Sequence, residues 1–192
     1  MVQFMSVFAA TVAFFAASAS AQISLAPIEI AVNPLLERRD VGSVGINTFD
    51  KRDLLSPAEQ TIVLDTHNKH RARHGSPPLT WNAQAAQFGN NWIQACQFKH
   101  SGGKYGENLA AGYKDFKTAI DVWYNEVSKY NYNRPGFSPA TGHFTQVVWK
   151  STNSIGCAKK FCPGSNWTIY ICNYDPPGNY QGQYEKNVLP PK

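Results

Sequence analysis

Three stretches in the second two-thirds of the chain carry the signals of helices. The first begins at Ser56-Pro57-Ala58-Glu59, a capping box with proline at the first helical position, and is expected to end at Gly75. The second is predicted to run from the cap residue Asn82 through Cys96, with small and aromatic residues on a common face. The third covers residues 115–130 and is capped by its first residue, an aspartate.

Three later segments have the apolar and β-branched composition of short strands: residues 143–149, 154–162 and 167–174. In the last segment bulky side chains alternate to both sides, Trp167, Ile169 and Ile171 one way and Thr168, Tyr170 and Cys172 the other. Helices followed by consecutive strands predict an α+β fold. Bulk on both faces predicts a three-layer α-β-α sandwich with a central antiparallel sheet.

The first 21 residues have the pattern of a secretory signal peptide. An apolar run ends in small residues, with Ala19 and Ala21 at the positions that precede cleavage before Gln22. The alternative is a membrane anchor, but the apolar core is short and rich in Ala and Ser at its end. We therefore expect residues 1–21 to be removed during secretion.

Residues 22–52 are interpreted as a pro-segment. They contain two dibasic pairs, Arg38-Arg39 and Lys51-Arg52, each followed by aspartate. Paired basic residues in an irregular segment of a secreted chain favour proteolytic processing after Arg39 or Arg52, the alternative being solvated charges in a linker. The remaining residues, 53–192, have the length of one domain.

The predicted domain contains all of the cysteines in the chain: Cys96, Cys157, Cys162 and Cys172. Behind a signal peptide, four cysteines predict two disulfides with three possible connectivities, and their spacing does not match a structural zinc knuckle. Asn166-Trp167-Thr168 is an N-glycosylation sequon. The formal charge of +5 is scattered along the chain, which does not favour nucleic acid as a partner.

The third predicted helix places a carboxylate on its apolar stripe. Ala119, Trp123 and Tyr130 share this stripe with Glu126 at 3.6-residue spacing. Burying a carboxylate is costly unless it is paired or hydrogen-bonded. Either Glu126 lies at the edge of the stripe and pairs with Lys129 on the surface, or it lies in a polar cavity.

Three further polar residues stand at unusual places. Glu107 lies in an expected loop among small apolar residues, His100 follows a cysteine by four residues, and His143 begins a predicted strand. Together with Glu126 they could bind a divalent metal ion or form a buried polar network. A His–Glu pair could also act as a general base, with Ser101 or water as nucleophile. No compact metalloprotease spacing supports catalysis.

A second group of histidines lies on the first predicted helix, His67, His70 and His74. Their spacing resembles a metal-binding face, but three cationic residues are interleaved with them and would repel a dication: Lys69, Arg71 and Arg73. We expect His67 to be structural and the other two histidines to be mostly solvated.

Four blocks in order resemble the CAP superfamily, which includes cysteine-rich secretory proteins, insect venom antigen 5 and plant pathogenesis-related class one proteins. The blocks are "HNKHR" (67–71), "GENLA" (106–110), "GHFTQVVWKST" (142–152) and "IYICNYDPPGNY" (169–180). They span nearly all of residues 56–192. The "YNRPGF" segment and the "NVLPPK" tail are most similar to fungal secreted members.

The resemblance implies the same α-β-α sandwich and a cavity formed by two histidines and two glutamates. These map onto His100, Glu107, Glu126 and His143, and the two histidines bind zinc or another divalent ion in some relatives. Zinc is the expected ion here. The resemblance also implies the disulfide pairing Cys96–Cys162 and Cys157–Cys172.

The loop over residues 130–141 corresponds to one implicated in sterol binding in fungal relatives. Tyr130, Tyr132 and Phe137 would supply flat apolar contacts, and Pro135 would shape the turn. The alternative is that these aromatic side chains merely cover the core beneath them.

We therefore expect a secreted, monomeric, non-catalytic CAP-domain protein that binds sterols or fatty acids outside the cell, without nucleic acid and without stable membrane insertion. The lipid site is expected to be separate from the metal cavity. One alternative is a metal-dependent hydrolase or protease with Glu107 or Glu126 as the base on a zinc-bound water. Another is an interaction protein that acts on a host or cell-wall partner.

Overall fold

The structure is a computed structural model that describes residues 54–192, so the predicted signal peptide and pro-segment lie outside the described residues. The elements follow in chain order as α1 (Pro57–Arg73), β1 (Thr80–Trp81), α2 (Ala83–Ile93), β2 (Gly106–Ala111), α3 (Phe116–Asn125), a 3-10 turn (Glu126–Lys129), α4 (Gly142–Val148), β3 (Ser154–Cys162), β4 (Trp167–Asp175) and α5 (Tyr184–Asn187).

The local signals for the first two helices are confirmed at their amino ends. Ser56 and Glu59 form the capping box of α1 through reciprocal hydrogen bonds between side chain and backbone. Gly75 follows the helix with a φ of 64°. Helix α2 ends at Ile93, earlier than predicted, because the chain turns at Cys96, whose φ is 55°.

The sheet has the strand order β1-β3-β4-β2. Strands β3 and β4 form an antiparallel pair, as do β2 and β4, but β1 pairs with β3 in parallel. The sheet is therefore mixed and not purely antiparallel as predicted. Strand β1 could not be detected from the sequence, because a strand of two residues leaves no periodic pattern. The expected loop around Glu107 is also wrong, because Gly106–Ala111 forms strand β2.

Alternation along β4 separates two hydrophobic clusters, as predicted. Ile169 and Ile171 pack with Ile93 of α2 on one face of the sheet. Tyr170 and Tyr174 pack on the other face with residues of α1, α3 and α4. The fold is accordingly α+β with helices on both sides of the sheet.

The predicted strand over residues 143–149 is wrong, because Gly142–Val148 forms helix α4. Every residue from Phe144 to Trp149 is buried, so the segment shows neither strand nor helix periodicity. Tertiary contacts fix the helix instead, through Glu126 at its first turn and Arg71 at its last.

The expectation for the histidines of α1 holds for His67 and fails for His70 and His74, since all three are buried. His70 Nε2 lies 2.7 Å from an Asp121 carboxylate oxygen. His74 bonds to the carbonyl of Leu189 and to the hydroxyl of Tyr124. The cationic residues between the histidines do not predict that the histidines are solvated. Helices α3 and α4 and the C-terminal tail pack on α1 from several sides, so more than one face of α1 is buried.

His67 makes the stability of the domain dependent on pH. Its Nδ1–H donates to the carbonyl of Val63, and its Nε2 accepts from the Tyr174 hydroxyl. Burial lowers the pKa of His67 to about 3 from its ordinary 6.5. Between these two values the unfolded chain binds a proton that the folded chain refuses, so stability falls as the pH falls below 6.5.

We expect urea unfolding to show this loss between about pH 7 and about pH 5. His67→Gln should unfold more easily at neutral pH, but its pH slope should be smaller by up to about 1.4 kcal/mol per pH unit. An unchanged slope in the variant would contradict the assignment, as would an NMR titration showing the His67 ring protonated at about pH 5.

Candidate functional site

The four predicted cavity residues form two His–Glu pairs. His100, in the loop after α2, has its Nδ1 2.7 Å from a carboxylate oxygen of Glu107 on β2. His143, in the first turn of α4, has its Nδ1 2.7 Å from a carboxylate oxygen of Glu126, which begins the 3-10 turn. Each imidazole is thus held by a carboxylate from another element.

The Glu107 carboxylate is nearly buried, with 7% of its side chain exposed. It accepts hydrogen bonds from the His100 ring and from the backbone N–H and hydroxyl of Ser101. Burial alone would raise the pKa of Glu107, but these donors outweigh it and the pKa lies below its ordinary value. The same bond to Glu107 raises the pKa of His100.

Glu126 also anchors the start of helix α4. One carboxylate oxygen accepts the backbone N–H groups of His143 and Phe144 at 3.0 and 3.1 Å, while the other faces the His143 ring. Helix amino termini favour negative charge, and their first N–H groups lack intrahelical acceptors. This explains a carboxylate on an apolar stripe. The side chain that Glu126 contacts is His143 and not Lys129.

Both histidines line one cleft of about 250 Å³, together with Glu107, Phe137 and Asn179, whereas Glu126 holds the His143 ring from outside this lining. Each ring uses Nδ1 for its carboxylate, and within the described residues neither Nε2 has a hydrogen-bond partner. A carboxylate that fixes Nδ1–H and leaves Nε2 available is the usual arrangement around metal-ligating histidines. The donor set therefore fits a divalent transition metal ion.

The cleft supplies two imidazoles and few other ligands. Among residues 54–192 no group of three or more His, Cys, Asp or Glu is arranged to hold a metal ion. A metal bound by His100 and His143 would therefore take its remaining ligands from water or from a bound molecule. Such a site is open and not a closed structural one.

Two asparagines that the sequence did not single out hold the backbone around His143. The Asn108 amide donates to the carbonyl of His143 and to the hydroxyl of Tyr174. The Asn179 amide donates to the carbonyl of Gly142. Asn108 had a detectable signal, as the amide in the apolar run "ENLAA". For Asn179 the sequence offered only its place in the fourth matching block, residues 169–180.

Close packing explains the glycine that precedes Glu107. A Cβ on Gly106 would lie 2.1 Å from the Gln146 amide oxygen. That oxygen accepts the backbone N–H of Gly178. A larger residue at position 106 would displace the Gln146 side chain and break its hydrogen bond to Gly178.

The structure forms both disulfides that the resemblance implies, Cys96–Cys162 and Cys157–Cys172. The first joins the loop that carries His100 to the end of β3. The second bridges the neighbouring strands β3 and β4. The sequon residue Asn166 is exposed in the turn between these strands, and its glycosylation stays a prediction.

The predicted lipid loop divides into buried and exposed parts. Tyr130 is buried against Phe144, and Tyr132 packs partly buried against Tyr130. Pro135 is exposed, and Phe137 is 59% exposed while lining the His/Glu cleft. Covering the core is therefore the role of Tyr130, whereas Phe137 remains accessible. The loop and the cleft adjoin instead of lying apart.

A sandwich of this topology, with two glutamate-held histidines on one cleft, defines a class of cysteine-stabilised domain. The chain belongs to the CAP, or cysteine-rich secretory protein, family, whose model matches residues 64–174.

The relatives include secreted and pathogenesis-related proteins. Over 179 residues the chain is 44% identical to Secreted protein RBT4 of Candida albicans, a match that covers 84% of this chain and 49% of that protein. Over 133 residues it is 42% identical to Pathogenesis-related protein 1A of Nicotiana tabacum, covering 65% and 79%. The chain spans about half the length of the first curated relatives it matches.

Solved structures share the fold. BmVAL-1 has a TM-score of 0.57 at 25% identity, covering 70% of this chain and 82% of that one. The crystal structure of NaASP2 with Zn²⁺ has a TM-score of 0.60 at 22% identity, covering 74% and 90%. Across residues 54–192, no helix is both long and apolar enough to cross a membrane.

Proposed function

We propose that this CAP domain is a secreted, monomeric, non-catalytic binding module that holds a divalent ion, zinc in the first instance, with His100 and His143. The observation that carries the metal site is the pair of imidazoles on one cleft, each with its Nδ1 held by a glutamate. The fold is shared with NaASP2, whose crystal structure was determined with Zn²⁺. When bound, the ion would supply a Lewis-acidic centre.

The arrangement of the carboxylates supports binding over catalysis. Glu107 and Glu126 each accept three hydrogen bonds, so neither has the free, poised carboxylate that a general base needs. The hydroxyl of Ser101 donates to Glu107, and no imidazole contacts it as an activating base within the described residues. These contacts favour a role in which the glutamates hold the His100 and His143 rings in fixed orientations for binding.

The zinc site is tested by isothermal titration calorimetry on the secreted domain. His100→Ala and His143→Ala should each weaken zinc binding at least about tenfold, because each removes one of two protein ligands. Glu126→Gln should weaken it less, since it loosens the ring without removing the donor atom. Asp65→Ala, which removes an exposed carboxylate on α1, is the control and should bind as the wild type does. Equal affinity in all four variants would place the zinc elsewhere.

The proposed organic ligands are sterols or fatty acids, with Phe137 as one contact. Its exposed ring lies on the rim of the cleft beside His143, where a flat apolar surface is available to a rigid hydrophobic ligand. Relatives named as secreted proteins support the extracellular setting of this proposal. Association with a cell wall stays a prediction.

A binding assay with radiolabelled cholesterol and palmitate tests this proposal. Phe137→Ala should weaken lipid binding about tenfold, since it removes one exposed aromatic contact. Phe161→Ala is the matched control, because Phe161 is similarly exposed, on strand β3 and away from the loop. If both variants bind lipid as the wild type does, the loop assignment is wrong. If the wild type binds neither ligand, the lipid function fails.

A further inference from the structure

Two segments near the start of the domain carry nearly the same pattern around their dibasic pairs. They read "LERRDVGS" (36–43) and "FDKRDLLS" (49–56). Each has a bulky apolar residue, an acidic residue, two basic residues and an aspartate, and each ends in serine. A protease specific for paired basic residues contacts side chains close to the bond that it cuts, so it meets similar residues at both segments. The choice between cleavage after Arg39 and after Arg52 therefore depends on something other than local sequence.

The chain is fixed to the domain almost immediately after Arg52. Leu55 is 5% exposed and belongs to the larger core cluster. Its carbonyl oxygen accepts the side-chain amide of Gln60 at 2.9 Å. Leu54 lines a cavity of about 280 Å³ together with Gln94 of α2. The second and third residues after Arg52 are thus already part of the packed domain.

The next residue, Ser56, is held at the first turn of α1. Its backbone N–H donates to a carboxylate oxygen of Glu59 at 2.9 Å, and its hydroxyl donates to the same oxygen at 2.8 Å. The other carboxylate oxygen of Glu59 lies 2.6 Å from Nζ of Lys159 on β3. The start of α1 is therefore tied both to its own helix and to the sheet.

Cleavage after Arg52 requires this start of α1 to be released. A protease binds its substrate in an extended conformation, on both sides of the bond that it cuts, inside an active-site cleft. Three extended residues span only about 10 Å, so packed Leu55 keeps the bond after Arg52 too close to the domain for a cleft to enclose it. Leu55 and Ser56 must first leave their contacts, and the rate of cleavage then follows the small population of that open form. Arg39 lies farther along the chain from the described domain, so its cleavage needs no such opening.

We propose that a protease specific for paired basic residues processes the folded chain after Arg39, and that the fold protects the bond after Arg52. The step is hydrolysis of the Arg39–Asp40 peptide bond, in which water supplies the hydroxyl of the new carboxyl group and a proton for the new amino group. The mature domain then begins at Asp40 and keeps residues 40–53. The inference concerns maturation and does not depend on the ligand of the cleft, because both possible products contain the whole cleft.

The choice of bond is tested on the chain purified from a host that lacks the processing protease. The chain is incubated with a purified subtilisin-like protease of dibasic specificity, and the products are followed by mass spectrometry. Cleavage after Arg39 should be at least about tenfold faster than cleavage after Arg52. Synthetic peptides of residues 34–45 and 47–58 are the matched control and should be cut at similar rates, because neither contains the folded domain. Equal rates at both bonds of the folded chain, or a 47–58 peptide that resists cleavage as the chain does, overturns the inference.

The cause of the protection is tested with variants at the start of α1. Leu55→Ala should speed cleavage after Arg52 at least about tenfold, because it removes the apolar contact that must open. Glu59→Ala lies farther from the bond and should speed it at least about threefold by removing the capping box. Asp65→Ala, at an exposed position of the same helix, is the control and should leave the rate unchanged. Wild-type rates after Arg52 in both the Leu55 and the Glu59 variants overturn the inference.

Discussion

Replacing Gly156 with alanine should destabilise the domain more than adding a methyl group at any other position of the sheet. A Cβ at this position of β3 would lie 2.1 Å from the backbone nitrogen of Ala86 and 2.2 Å from the carbonyl oxygen of Asn82. Both atoms belong to the start of α2, so no side chain can rotate out of the way. Overpacking costs about 1–3 kcal/mol even where side chains can adjust, and we expect at least about 3 kcal/mol here.

The measurement is urea or thermal unfolding of Gly156→Ala beside Gly164→Ala. Gly164 lies in the turn between β3 and β4, and an added Cβ there would meet nothing within 4 Å. The control should stay within about 0.5 kcal/mol of the wild type. If Gly156→Ala has the same free energy of unfolding as the control, helix α2 does not lie against β3 as described.

The second large effect is expected at Arg71, whose side chain is fully buried in the domain. Its guanidinium donates to four backbone carbonyls, those of Pro77, Val147, Trp149 and Thr152. Burial lowers the pKa of Arg71 to about 10. Two of the carbonyls belong to the end of α4, so this one side chain ties α1 to the helix that carries His143.

Arg71→Met should cost about 3–5 kcal/mol, because the substitution leaves several buried carbonyl oxygens without a donor. In a domain of this size that corresponds to a fall in Tm of roughly 10 °C or more. Lys69→Met is the control, since it removes the same charge from an exposed position of the same helix and should change Tm little. A Tm for Arg71→Met within about 2 °C of the control would show that the carbonyls find other partners.

Elements with strong local signals could be predicted from the sequence. The capping box of α1 and the alternation along β4 depend on neighbouring residues, and both are found as expected. Helix α4 could not be predicted, because its fully buried residues have no periodicity and its ends are fixed by side chains from Glu126 and Arg71. Strand β2 was missed because its small residues carry little β-propensity.

The candidate site could be predicted in its members but not in its pairing. The carboxylate of Glu126 stood out on an apolar stripe, and His100, Glu107 and His143 stood out as polar residues at unusual places. The resemblance then assigned all four to one cavity. The pairing of each glutamate with its histidine depends on distances between elements of the fold. The spacing of these residues along the sequence does not reveal those distances. The burial of His70 and His74 was missed for a related reason, since the helices that cover them are remote in sequence.

The shared carboxylate of Glu126 gives the domain a built-in reporter. It holds the His143 ring and the amide protons of His143 and Phe144 at once, so any event at the ring alters the two amide hydrogen bonds. The chemical shifts and exchange rates of these two amides should therefore change when a ligand binds at the histidine, so no spectroscopic probe metal is needed. Occupancy could thus be followed by NMR on the unmodified secreted chain.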